Sequence, residues 1–176
     1  MTKNTRLVSN VCRLAVLALA VAGSGSAIAA NAVANSSSTV IAAINITKSA
    51  DLAFGSFAAG TGAGTVTVTP GGTRSVTGVT AVASTATAAK FDVTGQTGLG
   101  YSISVVATPL SDGGSNTMTF TPISDLTASA STSGTVAAGT LTGGAQSIYV
   151  GGVLSVGANQ VAGTYSGTVT ATVDYN

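Results

Sequence analysis

Hydrophobic and polar residues alternate most regularly near the end of the chain. From Tyr165 to Tyr175, every odd-numbered position is apolar or glycine and every even-numbered position is polar. Successive side chains of a β-strand point to opposite faces, so this pattern predicts a strand with one buried and one solvated face. The residues expected on its inner face are Tyr165, Val169, Ala171, Val173 and Tyr175.

Weaker copies of the same alternation recur along the chain between glycine-rich turns. Threonine and valine are abundant after residue 30, and their branched side chains suit a pleated, half-buried surface. The further predicted strands are Thr65–Thr69, Phe91–Thr94, Tyr101–Val105, Met118–Thr121 and Ile148–Val156, the last interrupted by Gly151-Gly152. Two-faced strands of this kind stack, which predicts an all-β, antiparallel β-sandwich.

The first 30 residues have the three parts of a secretory signal sequence. Basic residues come first, the apolar run Leu14–Ala22 follows, and small residues end at Ala27-Ile28-Ala29. The apolar run has 9 residues, whereas a helix needs about 20 to span a bilayer. We therefore predict a signal peptide over residues 1–30, and an exported mature chain with no transmembrane segment.

Residues 31–43 differ in composition from the sequence that follows. Small polar residues lead into a stretch in which Val40, Ala42 and Ile44 share one face. One interpretation is a flexible start to the first strand of the domain. The other is an arm, or donor strand, that leaves its own domain and pairs with the sheet edge of a neighbour. In both cases we assign residues 44–176 to the β-sandwich domain.

Composition removes most catalytic and binding chemistry. The chain has no histidine and no glutamate, its only cysteine is Cys12 in the leader, and its five aspartates are scattered singly. Nucleophilic triads and histidine metal sites are therefore excluded from the mature chain. We predict no enzyme activity and no catalytic, cofactor-binding or metal site. After residue 30 the chain has three basic residues and five aspartates. The resulting formal charge of −2 does not attract nucleic acid.

Two stretches carry a resemblance to a known family. Residues Ile44–Gly55 and Tyr149–Val169 resemble the bacterial family called domain of unknown function 4402, and the similarity extends from about Ile44 to Asn176. The ending, Gly-Thr-Tyr followed by alternating threonine and valine, is also similar to the spore coat protein U group. That group contains the subunits of archaic chaperone-usher pili.

This resemblance implies an immunoglobulin-like sandwich that is incomplete and is completed by a donated strand. It implies a pilin-like structural subunit of a surface fibre or coat, with identical or related subunits, a periplasmic chaperone and an outer-membrane usher as partners. The chain would pass through the periplasm to the cell surface, a fimbrium or the extracellular space, where such fibres serve cell adhesion. The alternative is a self-complete secreted β-sandwich acting as a matrix or surface-layer component.

Overall fold

The computed structural model describes residues 29–176. The predicted signal peptide therefore lies almost entirely outside the described residues. Val40–Asn176 forms one compact unit, which begins four residues before the predicted domain boundary. Residues 29–39 belong to the other unit and are exposed, without regular secondary structure.

The part of the chain that the structure describes contains strands and no helix, which confirms the all-β prediction. The strands are β1 Asn45–Ala50, β2 Phe57–Ala59, β3 Gly64–Val68, β4 Arg74–Thr77, β5 Val79–Ala81, β6 Ala89–Thr94, β7 Gly100–Ala107, β8 Leu110–Ser111, β9 Thr117–Asp125, β10 Ala138–Thr140, β11 Ala145–Val156 and β12 Val169–Tyr175. All pairings between them are antiparallel.

The long strand β11 organises the larger, seven-stranded sheet. One of its edges pairs first with β6 and then with β3, while the other edge pairs with β9. β1 extends this sheet beyond β6, and β4 extends it beyond β3. The second sheet has three strands in the order β10-β7-β12, and β2 pairs with β5 in a separate ribbon.

The interior contains two core clusters, and side chains from both sheets meet in the first. A first core cluster joins β6 and β11 of the larger sheet to β7 and β12 of the smaller one; its largest fully buried members are Tyr101, Leu141 and Ile148. A second core cluster joins β3, β9 and β11 and includes Phe54, Phe120 and Leu154. Because residues of facing sheets pack together, the molecule is layered as a β-sandwich.

Gly151 and Gly152 are expected to interrupt the predicted strand Ile148–Val156, but they do not. β11 runs continuously through Gly151 and Gly152. A Cβ atom at Gly151 would overlap the carbonyl oxygen of Val68, and one at Gly152 would overlap the Phe120 ring. The glycines therefore allow β11 to pass closely between its neighbours, at the point where its partner on one edge changes from β6 to β3.

The last strand begins later than predicted. β12 starts at Val169, so Tyr165 lies outside the strand to which its alternation assigned it. Thr168 still pairs with Thr108, but Ser166 pairs with Ser111, which shifts the register by one residue. Pro109 lies at that shift and has no N–H to donate, so the regular ladder cannot continue towards Tyr165.

We predict that Gly151→Ala destabilises the protein by about 2–3 kcal/mol, because the added methyl group must displace backbone atoms of the neighbouring strand. Gly143→Ala is the matched control, since a Cβ there has no atom within 4 Å and its backbone is not left-handed. The control is expected to change the free energy of unfolding by no more than about 0.5 kcal/mol. Chemical denaturation measures both, and equal stabilities would contradict the account of β11.

Candidate functional site

A cleft of about 1090 Å³ opens on one side of the sandwich. Residues 48–59 form its first wall and residues 159–169 form its second. Its floor is apolar and comes from strands β6, β8, β9 and β11. The floor residues are Ala89, Phe91, Leu110, Met118, Phe120 and Leu154.

Each wall begins or ends in a strand at the edge of its sheet. β1, which leads into the first wall, has β6 as its only strand partner among the described residues. β12, which follows the second wall, is likewise the outer strand of its sheet and pairs only with β7. Edge strands offer backbone N–H and C=O groups to another chain. The cleft therefore combines an apolar floor with backbone groups suited to hydrogen bonding.

The first wall departs from regular pairing soon after β1. The register shifts between Lys48 and Ala50, and beyond it Ala53 makes only an isolated bridge to Thr87. Phe54 then turns inward and packs edge-on against Phe120, with ring centroids 5.4 Å apart. This contact attaches the wall to the floor of the cleft.

The guanidinium group of Arg74 forms hydrogen bonds with the backbone of the same wall. Its Nη1 donates to the carbonyl oxygens of Phe54 (3.3 Å) and Ser56 (3.2 Å), and its Nη2 donates to that of Val82 (2.9 Å). Gly55 lies between the two wall carbonyls, and a side chain there would overlap the guanidinium. Arg74 therefore fixes the position of the wall through neutral oxygen acceptors.

Tyr165 organises the second wall. Its hydroxyl donates to the carbonyl oxygen of Val161 (2.8 Å) and accepts a hydrogen bond from Gln160 Nε2 (3.0 Å). The residue also packs against the second core cluster. The loop from Gln160 to Tyr165 is thus closed by a side chain rather than by strand pairing.

The residues expected on the inner face of the last strand divide between two places. Tyr165 and Val169 line the cleft. Ala171, Val173 and Tyr175 pack on the first core cluster and do not line it. The inner face therefore contributes to the cleft only at its beginning.

The residues expected to form a donor face are also divided. Val40 is 94% exposed, and the side chain of Ala42 is exposed as well. Ile44 is half-buried and packs on the first core cluster of its own domain. The side chains of Val40 and Ala42 are therefore free to contact another chain, whereas that of Ile44 already packs within its own domain.

Sequence reasoning missed the floor and Arg74. The alternation of Met118 and Phe120 within a predicted strand shows that both point inward. No local pattern shows that the layer above them stays open, because this depends on pairing between strands that are distant in sequence. Arg74 carries no motif, and only the folded chain brings it beside the carbonyls of the wall.

The cleft is almost free of charge. Among the residues that the structure describes, its only charged lining residues are Lys48 and Asp51, whose side chains are exposed and form a mutual ion pair. Residues 31–47 contain no charged side chain. An uncharged, partly apolar peptide is therefore the kind of occupant that the cleft suits electrostatically.

The chain matches a known protein family. A family model described as Domain of unknown function (DUF4402) matches residues 44–175, and so covers more than half of the chain. No curated protein and no solved structure matches the chain. Among the described residues, no helix is long and apolar enough to cross a membrane.

We predict that Arg74→Lys lowers the free energy of unfolding by about 1–2 kcal/mol, because a lysine cannot donate to all the acceptors that the planar guanidinium reaches. Amide hydrogen exchange of residues 53–57 should accelerate more than that of β7. Lys48→Met, which removes only an exposed ion pair of the same wall, is the control and should leave stability nearly unchanged. If the amides of residues 53–57 exchange equally fast in both variants, Arg74 does not hold this wall in place.

Proposed function

The chain belongs to the family described as domain of unknown function DUF4402, and we propose that it is a pilin-like structural subunit of a bacterial surface fibre or coat. In this proposal the N-terminal arm of one copy occupies the cleft of the next copy, so that subunits join by donor-strand exchange. The role is structural rather than catalytic. The observation that carries the proposal is the cleft of about 1090 Å³, which has an apolar floor and lies beside strands at the edges of both sheets.

The cleft has the shape and lining for an extended occupant. Phe91, Phe120 and Leu154 lie at its bottom, where they are 7%, 8% and 1% exposed, and its two walls run over about ten residues each. An inserted strand would fill the space above these side chains and pair with the backbone of the walls. A cleft of this shape suits an extended peptide better than a compact small molecule.

The arm has the properties of that extended peptide. Residues 29–41 have no regular secondary structure, and Val33 and Val40 are 88% and 94% exposed. At about 3.3 Å per residue, this segment can extend over roughly 40 Å. Its side chains are uncharged, as the cleft largely is, so burying them would not bury an unpaired charge.

Two features support an incomplete immunoglobulin-like sandwich. The hydrogen bond from the Tyr165 hydroxyl to a carbonyl four residues upstream is typical of the tyrosine corner that precedes a late strand of such folds. β12, which follows this corner, is at the outer edge of its sheet. A donated strand would lie beside this edge and complete the sandwich.

The energy of insertion would come from two sources. Burying a valine such as Val40 contributes about 1.5–3 kcal/mol, and each backbone hydrogen bond adds a net of about 0.5–1.5 kcal/mol. Neither source alone gives a durable fibre from so small an arm. A ladder of several bonds together with two or three apolar side chains would do so.

The same open cleft is the reason to propose assembly partners. An unpaired edge beside an apolar floor promotes aggregation while subunits are separate. We therefore propose a periplasmic chaperone that covers the cleft during export and an outer-membrane usher that delivers subunits to the cell surface. The predicted signal peptide over residues 1–30 is consistent with this route.

We predict that Val40→Asp abolishes polymer formation without lowering the stability of the subunit, since the side chain is exposed in the subunit and would be buried in the fibre. Thr39→Asp is the matched control, because the neighbouring residue of an inserted strand points away from the floor. Size-exclusion chromatography of the exported protein measures the polymer. Ile44→Asp is a poorer test, since Ile44 packs on its own core.

Normal polymers from Val40→Asp would refute the assignment of the donor face. If the unmodified chain is itself monomeric, the self-complete sandwich acting in a matrix or surface layer is favoured instead. In that case deletion of residues 31–43 should leave the size of the particle unchanged.

A further inference from the structure

Ala42 is held by side chains at the point where the arm meets its domain. Its backbone N–H donates to Gln96 Oε1 (3.3 Å), and its carbonyl oxygen accepts from the Tyr175 hydroxyl (3.0 Å). The backbone N–H of Gln96 donates to the same hydroxyl, which joins the two holding residues. These three residues are called the arm clamp below.

Neighbouring residues support the arm clamp. Gly95 leaves room for Tyr175, because a Cβ at this position would overlap the tyrosine hydroxyl. The Tyr175 ring packs on the first core cluster, and so does Ile44, two residues after Ala42. The clamp is therefore anchored in the core through Tyr175 and Ile44, while the side chain of Ala42 is exposed.

The clamp lies at the far end of the domain from the cleft. Tyr175 is the last residue of β12, whereas the cleft touches only the first, Val169. Six residues of extended strand separate them, or about 20 Å. On the other wall, the cleft begins at Lys48, and going backwards along the chain from Lys48 to Ala42 leads away from it.

An arm that fills the cleft of its own domain must either break the hydrogen bonds at Ala42 or reverse direction on the N-terminal side of the clamp. Residues 40–44 contain no turn or bend. With the clamp intact, residues 31–41 extend over about 36 Å and must use about 20 Å of that length to return to the cleft. The clamp therefore makes self-insertion less favourable, while donation to another copy leaves its bonds intact and the whole arm available.

We propose that Gln96 and Tyr175 are positioning residues that present the arm to a second copy of the chain and disfavour its insertion into its own cleft. This inference rests on the proposed function. It adds the reason that the subunits polymerise instead of closing on themselves. The donated peptide and its acceptor are then always different molecules of the same chain.

Crosslinking within and between chains separates the two arrangements. The full chain carries Cys12→Ser, Val40→Cys in the arm and Val161→Cys on the second wall, where the valine is 54% exposed. A flexible thiol-reactive crosslinker removes the need to know the register of the inserted arm. On a boiled denaturing gel, links between chains give a ladder, and links within a chain give a monomer of altered mobility.

We expect mainly the ladder from this chain, and about a tenfold higher ratio of intrachain to interchain product when Tyr175→Phe is added. The magnitude corresponds to the loss of one or two hydrogen bonds. Tyr149→Phe, which removes a hydroxyl from β11, is the control. Gln96→Ala gives a second test that leaves the packing of the Tyr175 ring unchanged, and thermal unfolding checks that each variant is folded.

If the ratio of intrachain to interchain product stays at the control value in both Tyr175→Phe and Gln96→Ala, the inference about the arm clamp is wrong. Donor-strand exchange would not be contradicted by this result. Absence of both crosslinked products in every background would instead overturn the proposed function, and the arm clamp would lose its role with it. The two failures are therefore distinguishable on the same gel.

Discussion

The gap between the two sheets above Phe91, Phe120 and Leu154 is the constraint to which the other features of this molecule respond. A sandwich usually fills the layer above such side chains with a strand. Here that layer is a cleft between the walls formed by residues 48–59 and 159–169. An occupant that fills the cleft must supply both apolar side chains and a backbone that pairs with sheet edges.

The walls are stabilised by means that do not depend on an occupant. Arg74 holds one of them through backbone carbonyls, and Tyr165 closes the loop that forms the other. The cleft can therefore keep its shape while empty, which lowers the ordering cost of binding a strand. Gly151 and Gly152 contribute by letting β11 lie close to its neighbours beneath the floor.

Sequence alone predicts the strands of this protein better than it predicts the site. The alternation from Val169 to Tyr175 coincides with β12, because periodicity is a local property. It fails at Tyr165, where Pro109 on a distant segment interrupts the pairing. Likewise the shared face of Val40, Ala42 and Ile44 is visible in the sequence, but the burial of Ile44 depends on the first core cluster. The cleft itself arises only from pairings between strands that are remote along the chain.

The central claim is that the cleft of one copy is filled by the arm of another. Its most direct test is to shear the native protein from the cell surface and run it on a denaturing gel, once unheated and once boiled. The account predicts a ladder of multiples in the unheated lane that collapses to monomer on boiling, since the subunits are joined by a strand without a covalent bond. Monomer in both lanes would contradict it.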